Sequence, residues 1–525
     1  MNSIYPHRRQ WLQWAAIGAA ALHMPPRAWS QPKLDNSPFG LGVASGSPTH
    51  DSVVLWTRLV DFSFHVRDPQ GISVRWEVAH DDKFSRIARS GQALAPAELA
   101  YSVHVDVQGL ESDRWYFYRF RAGDAISRTG RTRTFPAPDA AVAGMRLAYA
   151  SCQRWEHGYF SAYRHMAEEN LDLVMFLGDY IYEYPRASNA VRTVPGGWTL
   201  TLDDYRQRYA TYKQDADLQA MHGACPWLVT WDDHEVQNDY AGLTVGENGP
   251  QVADFAARRS AAYQAFYEHM PVRASVLTRA VTGLISGAEM RIYSRVRYGQ
   301  LASLAMLDAR QYKNPPVCTR DAKPGSSIVN PAQCASWNNP ARSILGTEQE
   351  RWLDAGWTQG KSSTWNILGQ QSLLGQRDWS QGPEQSLWND GWDGYSAARG
   401  RLIDSVRKNA VSNLVVLGGD VHENWVGHIK TDYAQPKSAV VGVEFCGTSI
   451  SSRSGGNSKI PQTLSRNPHC VFADAERKGY GVVDVTPTQM KTTLRVVSDV
   501  TRQDASIETL AQFSVRSGKA LVEQI

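Results

Sequence analysis

The sequence predicts an α/β fold in two domains: a small N-terminal antiparallel β-sandwich, followed by a larger domain in which strands alternate with helices. The chain has 525 residues, which is more than one hydrophobic core usually serves. Short alternating strands separated by turn residues fill the chain up to about Pro136. Beyond Met145, continuous apolar runs typical of buried parallel strands alternate with helical spacing, which indicates an α/β architecture.

The first thirty residues have the pattern of an export signal. Arg8 and Arg9 precede a mildly apolar stretch over 15–22, and small residues follow just before Gln31. The paired arginines favour the twin-arginine route and its export machinery, although a surface helix would also carry such residues. The apolar stretch is too short for a stable membrane anchor. We therefore expect residues 1–30 to be a signal peptide and the mature protein to be periplasmic or extracellular.

The segment 36–136 is predicted to form a fibronectin- or immunoglobulin-like β-sandwich. Its strands are short, rich in aromatic and branched residues, and separated by turns at sandwich-like spacing; the clearest four are 52–58, 73–78, 102–107 and 115–120. A stiff linker is expected over 137–144, because the neighbouring prolines fix the backbone and remove hydrogen-bond donors.

The segment 145–525 is predicted to be the catalytic domain. Its apolar strand runs are 146–150, 173–178, 227–230, 301–307, 364–369 and 414–419, and its helical segments are 162–169, 253–269 and 398–408. Strand after strand ends in polar residues of chemical interest. Since the carboxyl ends of parallel strands are where α/β folds bind ligands, we expect one mixed sheet system with its site along one edge.

Charge and cysteine content exclude several classes. The formal net charge is +3 and no basic run occurs, so neither sequence-specific nucleic-acid binding nor a membrane surface is indicated, and we expect a small, locally anionic substrate. Six cysteines are too few for a disulfide scaffold. Cys318 and Cys334 lie in a loop rich in Pro, Asn and Ser, and an oxidising compartment would let them pair.

Two apolar runs end in the same way, with glycine followed by a candidate metal ligand. Asp179 and Asp420 follow their strands directly, with Tyr182 three residues after the first and His422 two residues after the second. Paired carboxylates of this kind hold two cations that activate water in hydrolases. The alternatives to metal ligands are an Asp that caps a helix and a Tyr that packs in the core. Because the pattern of an apolar run followed by Gly-Asp occurs twice, a mixed metal site is favoured.

Further candidate ligands lie in the run from Trp231 to Asp239. Asp233 and Asn238 are good ligands for hard cations, although an acidic surface turn is an alternative. Cys152 follows another strand and has three interpretations: a metal-binding thiolate, a phosphatase nucleophile or a buried thiol. The nucleophile would need an arginine six residues on, where this chain has Gly158, so we favour the ligand.

Three arginines are candidates for binding an anionic group, because a guanidinium fork matches phosphate oxygens: Arg154, Arg310 and Arg399. Arg310 is the best placed, although it could equally pair with the neighbouring Asp308. The aromatic, Gly-rich segment 379–395, which contains residues 392–395, is either a lid or pocket wall or a simple packed loop.

The motifs together resemble those of the PhoD-like alkaline phosphatases, in the same order and over nearly the whole mature chain. The matching segments are G-V-A-S-G-S-P at 42–48, V-V-L-W-T-R at 53–58, S-C-Q at 151–153, G-D-Y-I-Y-E-Y at 178–184, W-D-D-H-E-V at 231–236, L-D-A-R-Q-Y at 307–312, W-D-G-Y at 392–395 and G-G-D-V-H at 418–422. This resemblance implies a metallophosphatase-like α/β sandwich as the catalytic domain.

The resemblance also implies a calcium-dependent phosphodiesterase and phosphomonoesterase with ferric iron (Fe3+) and calcium (Ca2+). By motif, the iron ligands would be Cys152, Asp179, Tyr182 and His422, and the calcium ligands would be Asp179, Asn238 and Asp420. The family usually has two asparagines where this chain has Asn238 and Asp239.

The expected function is therefore that of a secreted phosphatase in which a metal-bound hydroxide or oxide attacks the phosphorus of a phosphate ester. Asp179, His422, Arg154 and Arg310 are the expected catalytic residues, with Asp233 added to the metal site. The alternative is a secreted polymer-binding protein that keeps only structural metals.

Overall fold

The computed structural model describes residues 37–60, 71–185, 187, 189–277 and 290–525. The expected signal peptide, 1–30, lies outside the described residues. In the N-terminal part, the strands are β1 (Val43–Gly46), β2 (Ser52–Arg58), β3 (Ile72–Ala79), β4 (Ile87–Ala95), β5 (Ser102–Gln108), β6 (Trp115–Ala122), β7 (Ala125–Ile126) and β8 (Gly130–Arg133).

The rest of the chain mixes strands and helices, so the α/β class that the sequence predicts is confirmed. Its strands are β9 (Met145–Ala150), β10 (Leu173–Phe176), β11 (Trp227–Val229), β12 (Ser294–Tyr298), β13 (Ala302–Met306), β14 (Ile328–Val329), β15 (Trp365–Gly369), β16 (Leu387–Trp388), β17 (Leu414–Gly418), β18 (Asn424–Lys430), β19 (Val440–Cys446), β20 (Cys470–Asp474), β21 (Gly479–Val485), β22 (Gln489–Val497), β23 (Ile507–Arg516) and β24 (Val522–Gln524). The helices are α1 (Ser161–Ala167), α2 (Leu202–Lys213), α3 (Ala216–His222), α4 (Phe255–His269), α5 (Gly346–Gly360), α6 (Ser396–Lys408) and α7 (Ile460–Arg466).

Two large sheets enclose the main core. One has the strand order β24-β23-β22-β21-β9-β10-β11-β1-β2-β5, and the other has the order β12-β13-β15-β17-β19-β18-β20. Neighbours are parallel from β9 to β11 and from β13 through β15 and β17 to β19. Leu147 and Met175 of the first sheet share one buried cluster with Leu304, Ile367 and Leu417 of the second. The apolar faces therefore meet between the sheets, which places the ends of β9, β10 and β17 around one region.

The N-terminal strands are joined to the larger sheet rather than standing apart from it. β1, β2 and β5 extend that sheet through a parallel contact between Gly46 and Trp227, while β3, β4, β6, β7 and β8 form the opposing layer. A side chain at Gly46 would lie 2.5 Å from the carbonyl oxygen of Pro271, so only glycine permits this approach. The linker expected at 137–144 therefore lies between strands of one sheet: β1, β2 and β5 precede it in the sequence, and β9, β10 and β11 follow it.

Helix α2 was not foreseen from the sequence, because its buried face consists of tyrosines rather than aliphatic residues. Tyr205, Tyr209 and Tyr212 are all buried at helical spacing. Thr201 and Asp204 cap its first turn reciprocally: each side chain accepts the backbone N–H of the other.

The expected pairing of Cys318 with Cys334 is confirmed, with their Cα atoms 6.0 Å apart. The disulfide encloses a loop in which the backbone N–H of Ser326 donates to the Asp239 carboxylate at 3.1 Å. Over the part of the chain that the structure describes, no helix is both long and apolar enough to cross a membrane.

Candidate active site

Cys152, Asp179, Asp420 and His422 all lie just beyond strand ends and share an unusual backbone conformation. Their φ angles are 60°, 58°, 66° and 59° respectively. Left-handed backbone in residues other than glycine costs about 1–3 kcal/mol each and concentrates at functional sites, where the surrounding structure holds it in place. The backbone is therefore bent sharply at the positions that the sequence singled out.

Close packing explains why glycine precedes both aspartates. A Cβ at Gly178 would lie 2.5 Å from Cβ of Asp232, and a Cβ at Gly419 would lie 2.3 Å from Oγ of Ser151. Gly178 also has a φ of 107°, which side chains rarely allow. The G-D pattern thus marks turns in which neighbouring strands approach too closely for any other residue.

The four residues that the resemblance assigns to iron come together in the fold. Ligand atoms of Cys152, Asp179 and His422 lie within 4.8 Å of one another. The Tyr182 hydroxyl lies 3.0 Å from Oδ2 of Asp179 and 3.1 Å from Nε2 of His422. Residues from three separate segments therefore present a thiol, a carboxyl, a phenol and an imidazole to one space.

Burial shifts the pKa of each group in this cluster toward its neutral form. It raises the pKa of the Cys152 thiol, the Asp179 carboxyl and the Tyr182 phenol well above their ordinary values, and it lowers the pKa of His422 to about 3. Nearby negative groups act in the same direction on the first three. A bound cation would counter both effects, because it stabilises the anionic forms.

A second group of candidate ligands adjoins the first through Asp179. Asp179, Asp233 and His234 form one such set, and Asp233, Asp239 and Asp390 form another. Nδ1 of His234 lies 2.7 Å from the Glu183 carboxylate, which also accepts the backbone N–H of Asn238 at 2.8 Å. Glu183 therefore anchors both the histidine and the backbone at half-buried Asn238.

Four carboxylate oxygens in this region are buried and have no protein hydrogen-bond partner among the described residues. They are Oδ1 of Asp179, Oδ2 of Asp232, Oδ1 of Asp233 and Oδ2 of Asp420. Buried polar atoms are nearly always satisfied, so such a concentration calls for a ligand. Thiolate, phenolate and imidazole suit a transition metal, whereas carboxylate oxygens suit calcium, so the residues present fit both ions that the resemblance implies.

The structure gives Arg310 a different environment from the one expected of an anion-binding residue. Its guanidinium donates to the Asp232 carboxylate, lies 2.5 Å from Asp390, and has Nη2 3.4 Å from Asp233 and 3.7 Å from Asp420. The side chain is only 3% exposed. Four carboxylates therefore already surround its guanidinium, and it meets Asp308 through its backbone N–H.

Arg154 and Arg399 differ in their access to a ligand. Arg154 stacks over the rings of Tyr184 at 4.6 Å and Tyr182 at 5.5 Å, beside the cluster, and its side chain remains 17% exposed. Arg399 is buried and donates to the Asp393 carboxylate at 2.6 Å. Arg154 is therefore better placed than Arg399 to meet an incoming anion. Residues 392–395 form a buried 3-10 helix, Trp392–Tyr395.

Sequence reasoning missed several residues of this region. Glu183 stands inside the G-D-Y-I-Y-E-Y motif, four residues after Asp179, and its motif position could have drawn attention to it. Asp390, Lys313 and the loop over residues 449–454 carry no local signal, because their contacts with the site come from distant parts of the chain. Lys313 donates to the Asp390 carboxylate, which neutralises part of the acidic cluster.

Comparison with known proteins gives concordant results. Residues 147–494 match the family model described as PhoD-like phosphatase, and residues 25–136 match that of its N-terminal domain. The chain is 44% identical over 494 residues to alkaline phosphatase D of Bacillus subtilis (strain 168), covering 92% of this chain and 81% of that protein. A solved structure titled "Structure of PhoD" superposes with a TM-score of 0.86 at 41% identity, covering 94% of this chain and 93% of the other.

Proposed function

Since the chain belongs to the PhoD-like phosphatase family and is a phosphatase, we propose a site for its reaction. It hydrolyses phosphomonoesters, phosphodiesters or both at the cluster around Asp179. The observation that carries the location is the convergence of four buried carboxylate oxygens, none with a hydrogen-bond partner among the described residues, beside a thiol, a phenol and an imidazole. This convergence supports an enzyme over a polymer-binding protein with only structural metals.

We further propose iron and calcium as the cofactors. Cys152, Asp179, Tyr182 and His422 would hold iron, while Asp179, Asn238 and Asp420 would hold calcium, with Asp233 beside them. When bound, these ions would activate water for attack on phosphorus and neutralise charge on the phosphate oxygens.

The chain's own residues position the reacting groups and the substrate. Arg154 would bind a phosphate oxygen, because its guanidinium lies beside the cluster and its side chain remains partly exposed, although its Nε forms an ion pair with the buried Glu156 carboxylate at 3.6 Å. Arg310 fixes the relative positions of Asp232, Asp233 and Asp420 before substrate arrives. Such preorganisation matters because phosphoryl transfer depends mainly on alignment and electrostatic stabilisation.

We also propose that the protein is exported by the twin-arginine route and acts in the periplasm or outside the cell. The Arg8-Arg9 pattern supports export, and the bond between Cys318 and Cys334 suits an oxidising compartment.

Replacement of Asp179 tests the site. We expect Asp179→Ala to lose both metals and all measurable turnover, because this carboxylate belongs to both proposed ligand sets. Elemental analysis and hydrolysis of chromogenic mono- and diesters would measure the two losses. Asp484→Ala, which removes a surface carboxylate paired with Arg146 on the same sheet, serves as the control and should keep both. Retained iron with normal turnover in Asp179→Ala would refute the site.

A further inference from the structure

A serine-rich loop, residues 449–454 (the serine loop), lies against the candidate ligands. It follows β19, and its backbone binds the segment that carries Cys152. The N–H of Ile450 donates to the carbonyl oxygen of Ser151 at 3.0 Å, and the N–H of Ser452 donates to that of Cys152 at 3.2 Å. Because these bonds join positions about 300 residues apart in sequence, the loop is part of the tertiary framework of the cluster.

The Ser452 hydroxyl is the centre of the contact. It is fully buried, with Oγ 2.8 Å from the carbonyl oxygen of Cys152 and 2.7 Å from Oη of Tyr182, and it accepts the backbone N–H of Arg154 at 3.2 Å. A hydroxyl has one proton to donate, and the Cys152 carbonyl already receives the backbone N–H of Ser452. The phenol of Tyr182 is therefore the group that depends most on this hydroxyl.

The next residue fixes the histidine of the same cluster. Nδ1 of His422 lies 2.8 Å from the carbonyl oxygen of Arg453, so it carries the proton and leaves Nε2 with a free electron pair. Lys478 donates to the carbonyl oxygen of His422 at 2.8 Å and to Oγ of Ser454 at 2.5 Å. The loop thus contacts three candidate ligands from one side.

We propose that the serine loop holds Cys152, Tyr182 and His422 in ligand geometry, and that Ser452 is the positioning residue for Tyr182. This inference rests on the proposed function, because it takes the cluster to be a metal site. Groups that hydrogen-bond to metal ligands orient them, and their loss typically lowers metal affinity or activity 10- to 100-fold. The hydroxyl of Ser452 occupies such a position, since it touches Oη of Tyr182 directly.

The test compares Ser452→Ala with Ser451→Ala in the full chain loaded with iron and calcium. Ser451 is equally buried in the same loop, but its hydroxyl donates to the carbonyl oxygen of Arg154 at 2.9 Å. Its contact with a candidate ligand is made by the backbone N–H, 3.4 Å from the carbonyl oxygen of Cys152, and alanine keeps that group. Iron retained against a chelator, the visible tyrosine-to-iron absorption band, and kcat with KM are measured for both. We expect Ser452→Ala to bind iron about 10- to 100-fold more weakly, to shift the band and to lower kcat with little change in KM, while Ser451→Ala keeps its iron affinity and its band.

A double-mutant cycle separates positioning from a general loss of folding. In a Tyr182→Phe background, the further change Ser452→Ala should lower iron affinity no more, because its partner hydroxyl is already absent. If Ser452→Ala does not fold, Ser452→Thr keeps the hydroxyl and should retain the metal.

Three outcomes would overturn the proposal: Ser452→Ala indistinguishable from Ser451→Ala, additive losses in the cycle, or loss of iron in a folded Ser452→Thr. Absence of metal from the unmodified chain would instead defeat the proposed function, and it would appear before any variant is compared.

Discussion

Four candidate ligands sit on left-handed backbone, and two of them follow glycines that no side chain can replace without a clash. The geometry of the cluster is therefore set by the main chain as much as by the side chains. Asp179 shows the connection most directly, because its own φ is 58° and the preceding Gly178 has a φ of 107°. A change at the glycine should move the carboxylate.

We predict that Gly178→Ala destabilises the fold by about 2–5 kcal/mol and lowers metal content at least about tenfold. The added methyl would lie 2.5 Å from Cβ of Asp232, and the backbone conformation itself is strained for alanine. Denaturant unfolding and elemental analysis would measure the two effects.

Gly197→Ala is the matched control for that substitution. A Cβ at Gly197 meets nothing within 4 Å, so its stability should stay within about 0.5 kcal/mol of the unmodified chain. Equal stability and equal metal content in the two variants would contradict the packing argument.

The sequence predicts the candidate ligands that lie at strand ends and fails for residues that reach them through long-range contacts. Asp179 and Asp420 are detectable because an apolar run and a glycine precede each. Ser452 and Asp390 are not, because only the assembled fold brings them to Tyr182 and Arg310. The expectation for Arg310 followed from its position after a strand, which does not reveal that carboxylates surround its fork.

Among the secondary-structure elements, buried parallel strands and the helices α1, α4 and α6 were predicted closely, whereas helices α2, α3, α5 and α7 were not. The run 173–178 contains β10, and 414–419 contains β17, since continuous apolar residues leave little alternative. Helix α4 begins at Phe255 rather than 253, because Asp254 caps it by accepting the N–H of Ala257. Helix α2 has no apolar periodicity in the sequence, because its buried face is made of aromatic and charged residues.

Strand β5 contacts helix α4 through a histidine whose protonation should affect stability. Nε2 of His104 lies 2.9 Å from the carbonyl oxygen of Tyr267 and 3.0 Å from that of Met270, and its ring stacks on Tyr267 with centroids 4.2 Å apart. Burial is the main cause that lowers the pKa of His104 from 6.5 to about 4. The two carbonyl contacts raise the pKa, but burial outweighs them, so the folded protein favours the neutral imidazole.

The stabilisation from His104 should be present above pH 6.5 and lost as the pH falls through about 4. The reason is that the unfolded chain, with the higher pKa, takes up the proton first; the lowering corresponds to on the order of 3 kcal/mol. The free energy of unfolding of the unmodified chain and of His104→Gln, measured from pH 7 to pH 4, tests this. The difference in the free energy of unfolding between the unmodified chain and His104→Gln should decrease as the pH falls. A difference that stays constant would contradict the role given to His104.

The two halves of the molecule are joined by a shared sheet and by several polar contacts. Gly46 pairs with Trp227, Nε1 of Trp56 donates to the carbonyl oxygen of Glu268 at 3.0 Å, and Arg273 donates to Ser52 at 2.9 Å. The family models match the two halves separately, at 25–136 and 147–494, yet the strands continue across that division.

We predict that a chain beginning at residue 137 fails to fold into an active enzyme. Removing the N-terminal strands would expose the edge of β11 and leave the apolar surface beneath Trp56 in water. Circular dichroism, solubility and ester hydrolysis, measured beside a chain beginning at Gln31, would show the difference. A soluble, active fragment would mean that the shared sheet is dispensable.

The glycine at position 46 limits how this architecture can be re-engineered. A graft of strands β1 to β8 onto an unrelated hydrolase would need a host whose edge strand can approach the backbone of Gly46 as closely as Trp227 and Pro271 do. A graft of residues 43–271 would keep Gly46 together with Trp227 and Pro271, and it should therefore succeed more often than an exchange made at the linker expected over 137–144.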